Sequence, residues 1–155
     1  MSRAWGFAVA LGVTAMAMAD EPRYTGGAAT FQANCVVCHR ATGAGNPGLA
    51  PPVIADAPHF AETAEGRRQL AMTVLYGMYG EITVAERRYN FKMPEFSRFD
   101  DAQLADVLNY VVFDLGHADA ALSPMTPDDV ARERANAVDG AAVRAHRATV
   151  ATAKP

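Results

Sequence analysis

Apolar residues recur along this chain with two different periods, and the breaks between them divide it into elements. From Thr25 to about Val36 the pattern predicts a helix, with Gly27 and Phe31 four apart on one face. Residues 41–58 carry Gly43, Gly45, Pro47, Gly48, Pro51, Pro52 and Pro58, a density that predicts a loop. Leu70, Val74, Leu75 and Met78 return to helical spacing, so a helix is expected over 63–79, capped by Thr63 and stopped by Gly80. Ile82-Thr83-Val84 and Tyr89-Asn90-Phe91 flank the polar run Ala85-Glu86-Arg87-Arg88, which reads as a small β-hairpin. The strongest stripe is Leu104, Val107, Leu108, Val111, Val112 and Leu115, predicting a helix over 101–115. Asp100 and Gln103 suit a capping box, Phe99 and Leu104 a hydrophobic staple, and Gly116 a stop. Thr126-Pro127 opens a short helix. Residues 140–155 are Ala-rich with little large apolar surface, and a loose tail or weak helix is expected there. The class is all-α, with one hairpin.

The first residues follow another logic. Met1-Ser2-Arg3 precedes an apolar run that ends in Ala17-Met18-Ala19, the pattern of a secretory signal peptide over residues 1–19. The run is shorter than the ~20 residues a membrane span needs, so no span is expected after cleavage near Ala19. Trp5, the single tryptophan, lies in that segment. The chain has 155 residues, half of them hydrophobic and 20% charged, enough for one packed domain. Its net charge of −3 argues against a nucleic-acid partner.

Two cysteines are too few for a disulfide scaffold, but their spacing carries the chemistry. Cys35-Val36-Val37-Cys38-His39 is the C-x-x-C-H signature of covalent haem attachment. Two thiols on one helical turn can add to the two vinyl groups along one porphyrin edge, and the next residue, His39, then offers its imidazole to the iron. A thioredoxin-like pair needs a βαβ context that is missing here. Structural zinc needs four ligands, whereas His59, His117 and His146 are scattered and there is no third cysteine.

Iron held by His and Met has a raised potential suited to electron transfer. Met72, Met78, Met93 and Met125 follow the signal segment. Met72 and Met78 lie in a helical pattern, where methionine is ordinarily core filler. Met93 stands in an irregular stretch before Pro94, which stiffens the backbone, and is the candidate second axial ligand.

These residues resemble class I c-type cytochromes, single-haem bacterial electron carriers, over about Gly27 to Leu115. The resemblance implies a helical fold around one haem c, with the hairpin preceding the methionine loop. Residues 20–116 would form that domain and 117–155 a C-terminal extension. Gly27 and Phe31 match the family's N-terminal helix, expected to cross the C-terminal helix near Val107 and Tyr110. Asn46-Pro47-Gly48-Leu49-Ala50-Pro51-Pro52 resembles the loop in which a proline carbonyl accepts a hydrogen bond from the proximal histidine. Pro51 and Pro52 both qualify, and the spacing favours Pro51. Tyr89-Asn90-Phe91-Lys92-Met93-Pro94 resembles the methionine segment. The stretch from Gly80 to Pro94 is similar to a branch found beside copper nitrite reductases and quinoprotein dehydrogenases, except that Ala85-Glu86-Arg87-Arg88 lacks the expected turn glycine.

The resulting expectation is a periplasmic, non-enzymatic shuttle with Cys35, Cys38, His39, Met93 and Pro51 at its haem site. Its partners would be periplasmic redox proteins such as a copper nitrite reductase, a quinoprotein dehydrogenase or a terminal oxidase. The alternatives are a haem subunit of a larger oxidoreductase, or an open-iron enzyme or gas-binding protein if Met93 is not a ligand. Haem burial is expected from Phe31, Leu49, Val53, Ile54, Leu70, Val74, Leu75, Phe91, Phe96, Leu104, Leu108 and Val111. Arg67, Arg68, Arg87, Arg88 and Lys92 form a candidate basic docking side.

Overall fold

The computed structural model describes residues 21–152. The expected signal segment lies outside the described residues. The first helix, α1 (Thr25–Asn34), buries Gly27 and Phe31 as its pattern predicts. It crosses α5 (Asp101–Asn109) near the point the family resemblance implies. A Cβ on Gly27 would lie 2.2 Å from the Asp106 carbonyl oxygen and 2.9 Å from Tyr110 Cβ, so two backbones touch where only a hydrogen fits. The rings of Phe31 and Tyr110 pack beside this point with centroids 5.6 Å apart.

The expected single helix to Val36 breaks at Cys35, whose φ of −111° leaves helical geometry. One further turn follows, α2 (Val36–His39), and Arg40 ends it at φ 60°. Residues 41–52 form a loop, as their glycines and prolines require, but 53–58 do not. They open α3 (Val53–Ala61), which runs through Pro58. The missing proline N–H is outweighed by burial of Ala57, Phe60 and Ala61. Helix α4 (Ala64–Tyr76) is capped by Thr63, whose Oγ1 accepts from Gly66 N at 3.0 Å. It stops at Gly77, with φ 67°, and not at Gly80. Met78 and Tyr79 therefore leave the helix assigned to them.

The hairpin is present, with its first strand as expected and its second strand two residues earlier than expected. Strands β1 (Ile82–Val84) and β2 (Arg87–Tyr89) pair antiparallel, Val84 opposite Arg87. The turn is Ala85-Glu86 alone, with φ of 46° and 63°. Such two-residue turns match strand twist and usually contain glycine.

The stripe of 101–115 forms two kinds of helix. Asp100 and Gln103 make the capping box of α5, and Tyr110–Leu115 continues as a π-helix, with Gly116 N donating to Val111 O at 2.9 Å. Val111, Val112 and Phe113, consecutive in sequence, are all buried. The wider turn suits a segment packed against both α1 and α3.

The C-terminal extension wraps this core. Helix α6 (Pro127–Arg134) is capped by Thr126 and Asp129, and buries Val130. Asn109, itself buried, bridges both backbone groups of Met125 at 2.9 and 2.7 Å. Of the loose tail and the weak helix expected over 140–155, the structure has the helix, α7 (Gly140–Thr152). It docks on α3 and α4 and buries Val143, Arg147 and Val150 on one face. Among the described residues no helix is long and apolar enough to cross a membrane.

Candidate haem site

The elements surround one continuous cleft with two lobes. The deep lobe encloses about 970 Å³ and the outer lobe about 810 Å³, each counted with its opening to solvent. Phe31, Leu70, Val74, Leu104, Leu108 and Val111 line the deep lobe, as the burial expectation requires. Leu49 and Phe91 border the outer lobe. Phe91 departs from that expectation, because it is 61% exposed. It stands in the open segment after β2, beyond the hairpin's last paired residue, Tyr89.

Cys35 and His39 border both lobes, and Cys38 borders the outer one. The turn of α2 makes this convergence: Cys38 N and His39 N both donate to Cys35 O, at 3.1 and 2.9 Å. Burial pushes the Cys35 thiol up to about 11, with Cys38 reinforcing and Arg98 opposing. Before haem attachment it is a protonated, weakly nucleophilic thiol at neutral pH. Arg98 stacks over Phe99, 4.5 Å from the ring centroid, and donates to Asn34 Oδ1 at 2.7 Å.

His39 is buried, and its Nδ1–H donates to the carbonyl of Pro51 at 2.9 Å. Between Pro51 and Pro52, the bond goes to Pro51. Burial holds the imidazole below its ordinary pKa, against the opposing effect of that hydrogen bond. A neutral ring with Nδ1 committed keeps Nε2 as its available metal-binding atom. The Pro51 loop is itself fixed: Asn46 and Ala50 bridge, and Val53 N donates to Gly43 O at 2.9 Å.

Met93 borders both lobes, and so does Met78. The two peptides bond each other in both directions, Met78 N to Met93 O at 3.1 Å and Met93 N to Met78 O at 2.8 Å. The close turn at Gly77 allows this pairing. A Cβ there would meet Met93 O at 2.4 Å. Treating Met78 as helical filler hid its position, although Gly77 after Tyr76 was a visible stop signal. Met72 and Met125 are buried core residues and border neither lobe.

The donor set fits a haem. Two thiols on one turn, a histidine with its second nitrogen oriented, and thioether sulfurs all border one apolar cleft. Among the described residues no cluster of three or more His, Cys, Asp or Glu offers a rival metal site. Two charged residues were missed in sequence: Asp56 and Arg147 also line the deep lobe, and nothing in the weak pattern of 140–155 marked Arg147 as an inward residue.

Several residues of the expected basic side are engaged by acidic or carbonyl partners. Arg67 donates to Asp129, Ser123 O and Pro124 O at 2.8, 2.6 and 2.8 Å, and Arg68 pairs with Glu133 at 3.1 Å. Both serve to hold α6 on α4. Arg88 lies 3.6 Å from Glu81, while Lys92 borders the outer lobe.

The family model described as Cytochrome c matches residues 24–112. The chain is 32% identical over 139 residues to a "Cytochrome c-552" of Thermus thermophilus, covering 88% of this chain and 89% of that protein. A second "Cytochrome c-552" of Thermus thermophilus is 32% identical over 121 residues, covering 77% and 92%. The C-x-x-C-H turn, the crossing at Gly27 and these matches agree, and the chain belongs to the cytochrome c family, electron-transfer proteins with covalently bound haem c.

Proposed function

We propose that this chain is an exported, periplasmic carrier of single electrons. Cys35 and Cys38 would hold its haem, and His39 and Met93 would be the two ligands of the iron. The observation that carries this reading is the convergence of His39 and Met93 on the cleft bordered by the cysteines. When bound, haem supplies an iron that alternates between ferric and ferrous states.

The protein's own residues do the rest. Pro51 O anchors the imidazole, so the histidine keeps its orientation in both states. The paired peptides of Met78 and Met93, and Pro94 after them, fix the loop bearing the thioether. Few atoms then move when an electron arrives. Leu70, Leu104, Leu108 and their neighbours keep water from the deep lobe. Val37 (81% exposed) and Phe91 border the outer lobe, so an apolar rim faces solvent where a partner's redox centre can approach. With His39 and Met93 both ligating, the iron would offer a substrate no open position, which favours a carrier over an enzyme. Its partners on this reading are other periplasmic redox proteins.

Met93 is preferred to Met78 because Pro94 stiffens the backbone beside it and the segment resembles the family's methionine loop. In the matured ferric protein, a bound thioether gives a red charge-transfer band. Met93→Ala is expected to abolish it and Met78→Leu to keep it. The reverse pattern would transfer ligation to Met78, and a band unaffected by either change would overturn His/Met ligation.

A further inference from the structure

Arg147 lies where a surface helix has no ordinary use for an arginine. It is 9% exposed, on the inward face of α7, and lines the deep lobe. Its Nη2 donates to the carboxylate of Asp56, and its guanidinium sits over Phe60 at 5.7 Å from the ring centroid. An ion pair in such a place stabilises little, because withdrawing the guanidinium from water offsets its attraction to Asp56. Aspartate occupies one of five guanidinium donors. Among the described residues no other protein acceptor bonds to that group.

The surroundings are also selective. Gln69 is 1% exposed and lines the same wall. Its Nε2 donates to Thr73 Oγ1 at 2.9 Å, and its Oε1 accepts from His146 Nδ1 at 2.7 Å. Asp56, Gln69, Thr73 and Arg147 thus form a polar strip in a lobe otherwise walled mainly by aliphatic and aromatic groups. None of the four borders the outer lobe, where Cys38 lies. Haem c has a matching asymmetry: its thioether carbons lie along one edge and its two propionate carboxylates along the opposite one. A porphyrin tethered at the cysteine end turns its anions away from that end.

We infer that Arg147, oriented by Asp56, receives a propionate of the haem, so that the last helix is part of the cofactor site and sets its potential. This rests on the reading that the haem occupies this cleft. Arg147 binds the group directly, and Asp56 is a positioning residue. The planar fork of arginine suits two carboxylates at once.

The test is spectroelectrochemical titration of the matured holoprotein with Arg147→Gln, Arg147→Lys and Asp56→Asn. A cation on the cleft wall favours the less positive ferrous state. Arg147→Gln should shift the oxidised/reduced equilibrium about threefold to tenfold toward oxidised, a fall of roughly 30–60 mV at 59 mV per tenfold. Asp56→Asn should raise the midpoint, and Arg147→Lys should restore most of it. A structural disturbance gives no such reversal of sign. Reduced-minus-oxidised infrared spectra should also show a displaced propionate carboxylate band in both Arg147 variants. Midpoints that move together or stay fixed, or an undisplaced band, overturn the assignment. Asp56 is 35% exposed at its side chain, so its variant supplies the test even if Arg147→Gln does not accumulate. Absence of the ferric charge-transfer band from the unmutated protein counts instead against Met93 ligation, which keeps the two failures apart.

Discussion

Gly27→Ala measures the contact on which the fold closes. The added Cβ would stand 2.2 Å from Asp106 O, 2.7 Å from Asp106 C and 2.9 Å from Tyr110 Cβ. Ordinary contact begins near 3.4 Å, so α1 and α5 must separate by about 1 Å. Two of the three obstacles are backbone, which no rotamer change can relieve. Overpacking of this kind costs about 1–3 kcal/mol. The separation also loosens the Phe31–Tyr110 pair, worth about 0.5–1.5 kcal/mol, while alanine returns about 0.5–1 kcal/mol of helix preference. The net expectation is a loss of about 2 kcal/mol. At a urea m-value of about 2 kcal/mol/M, the midpoint of holoprotein unfolding falls by about 1 M with m unchanged. Gly26→Ala is the control. Its nearest obstacle is Asp106 Oδ2 at 2.6 Å, the movable end of a half-buried side chain. It should be neutral or slightly stabilising. Equal losses at both positions, or a Gly27→Ala protein as stable as its parent, would refute the argument from backbone contact.

Other perturbations probe other parts of the structure. Glu86→Gly should stabilise by up to about 1 kcal/mol, since Glu86 holds φ 63° in a turn that favours glycine; a lowered urea midpoint would contradict this. Asn109→Ala should cost about 2–3 kcal/mol by stripping partners from the buried N–H and C=O of Met125, and amide exchange at Met125 should accelerate. Burial raises the Asp129 pKa, but hydrogen bonds from Thr126 and Arg67 outweigh it and hold the carboxyl below its ordinary 3.8. Its contribution is therefore complete above about pH 3.8 and disappears as pH falls through the lower folded value. Asp129→Asn should accordingly destabilise at pH 7, with a deficit that shrinks toward strong acid; a deficit constant with pH would show that charge plays no part.

What was legible in the sequence follows from how local each signal is. The C-x-x-C-H turn, the capping box at Asp100 and the helix start at Thr126-Pro127 each depend on a few neighbouring residues whose chemistry allows one reading, whereas the crossing at Gly27 came from the family resemblance. The misreadings arise where tertiary burial overrules local preference. Pro58 argues against helix, yet α3 continues because Ala57, Phe60 and Ala61 have a core to enter. Val111, Val112 and Phe113 read as part of a regular stripe, but all three are buried and the turn widens to accommodate them. Helix α7 shows this most clearly. Its inward positions are Val143, Arg147 and Val150, and an arginine in the middle of an apolar face erases the periodicity that would reveal the helix. The residue that hid α7 from pattern reading is the one that faces the cleft, so the weakness of the sequence signal and the chemistry of the site have one cause. A helix built only to cover the core would carry leucine there, which would have been legible. Arginine at that place makes sense where the wall it completes has an anion to meet.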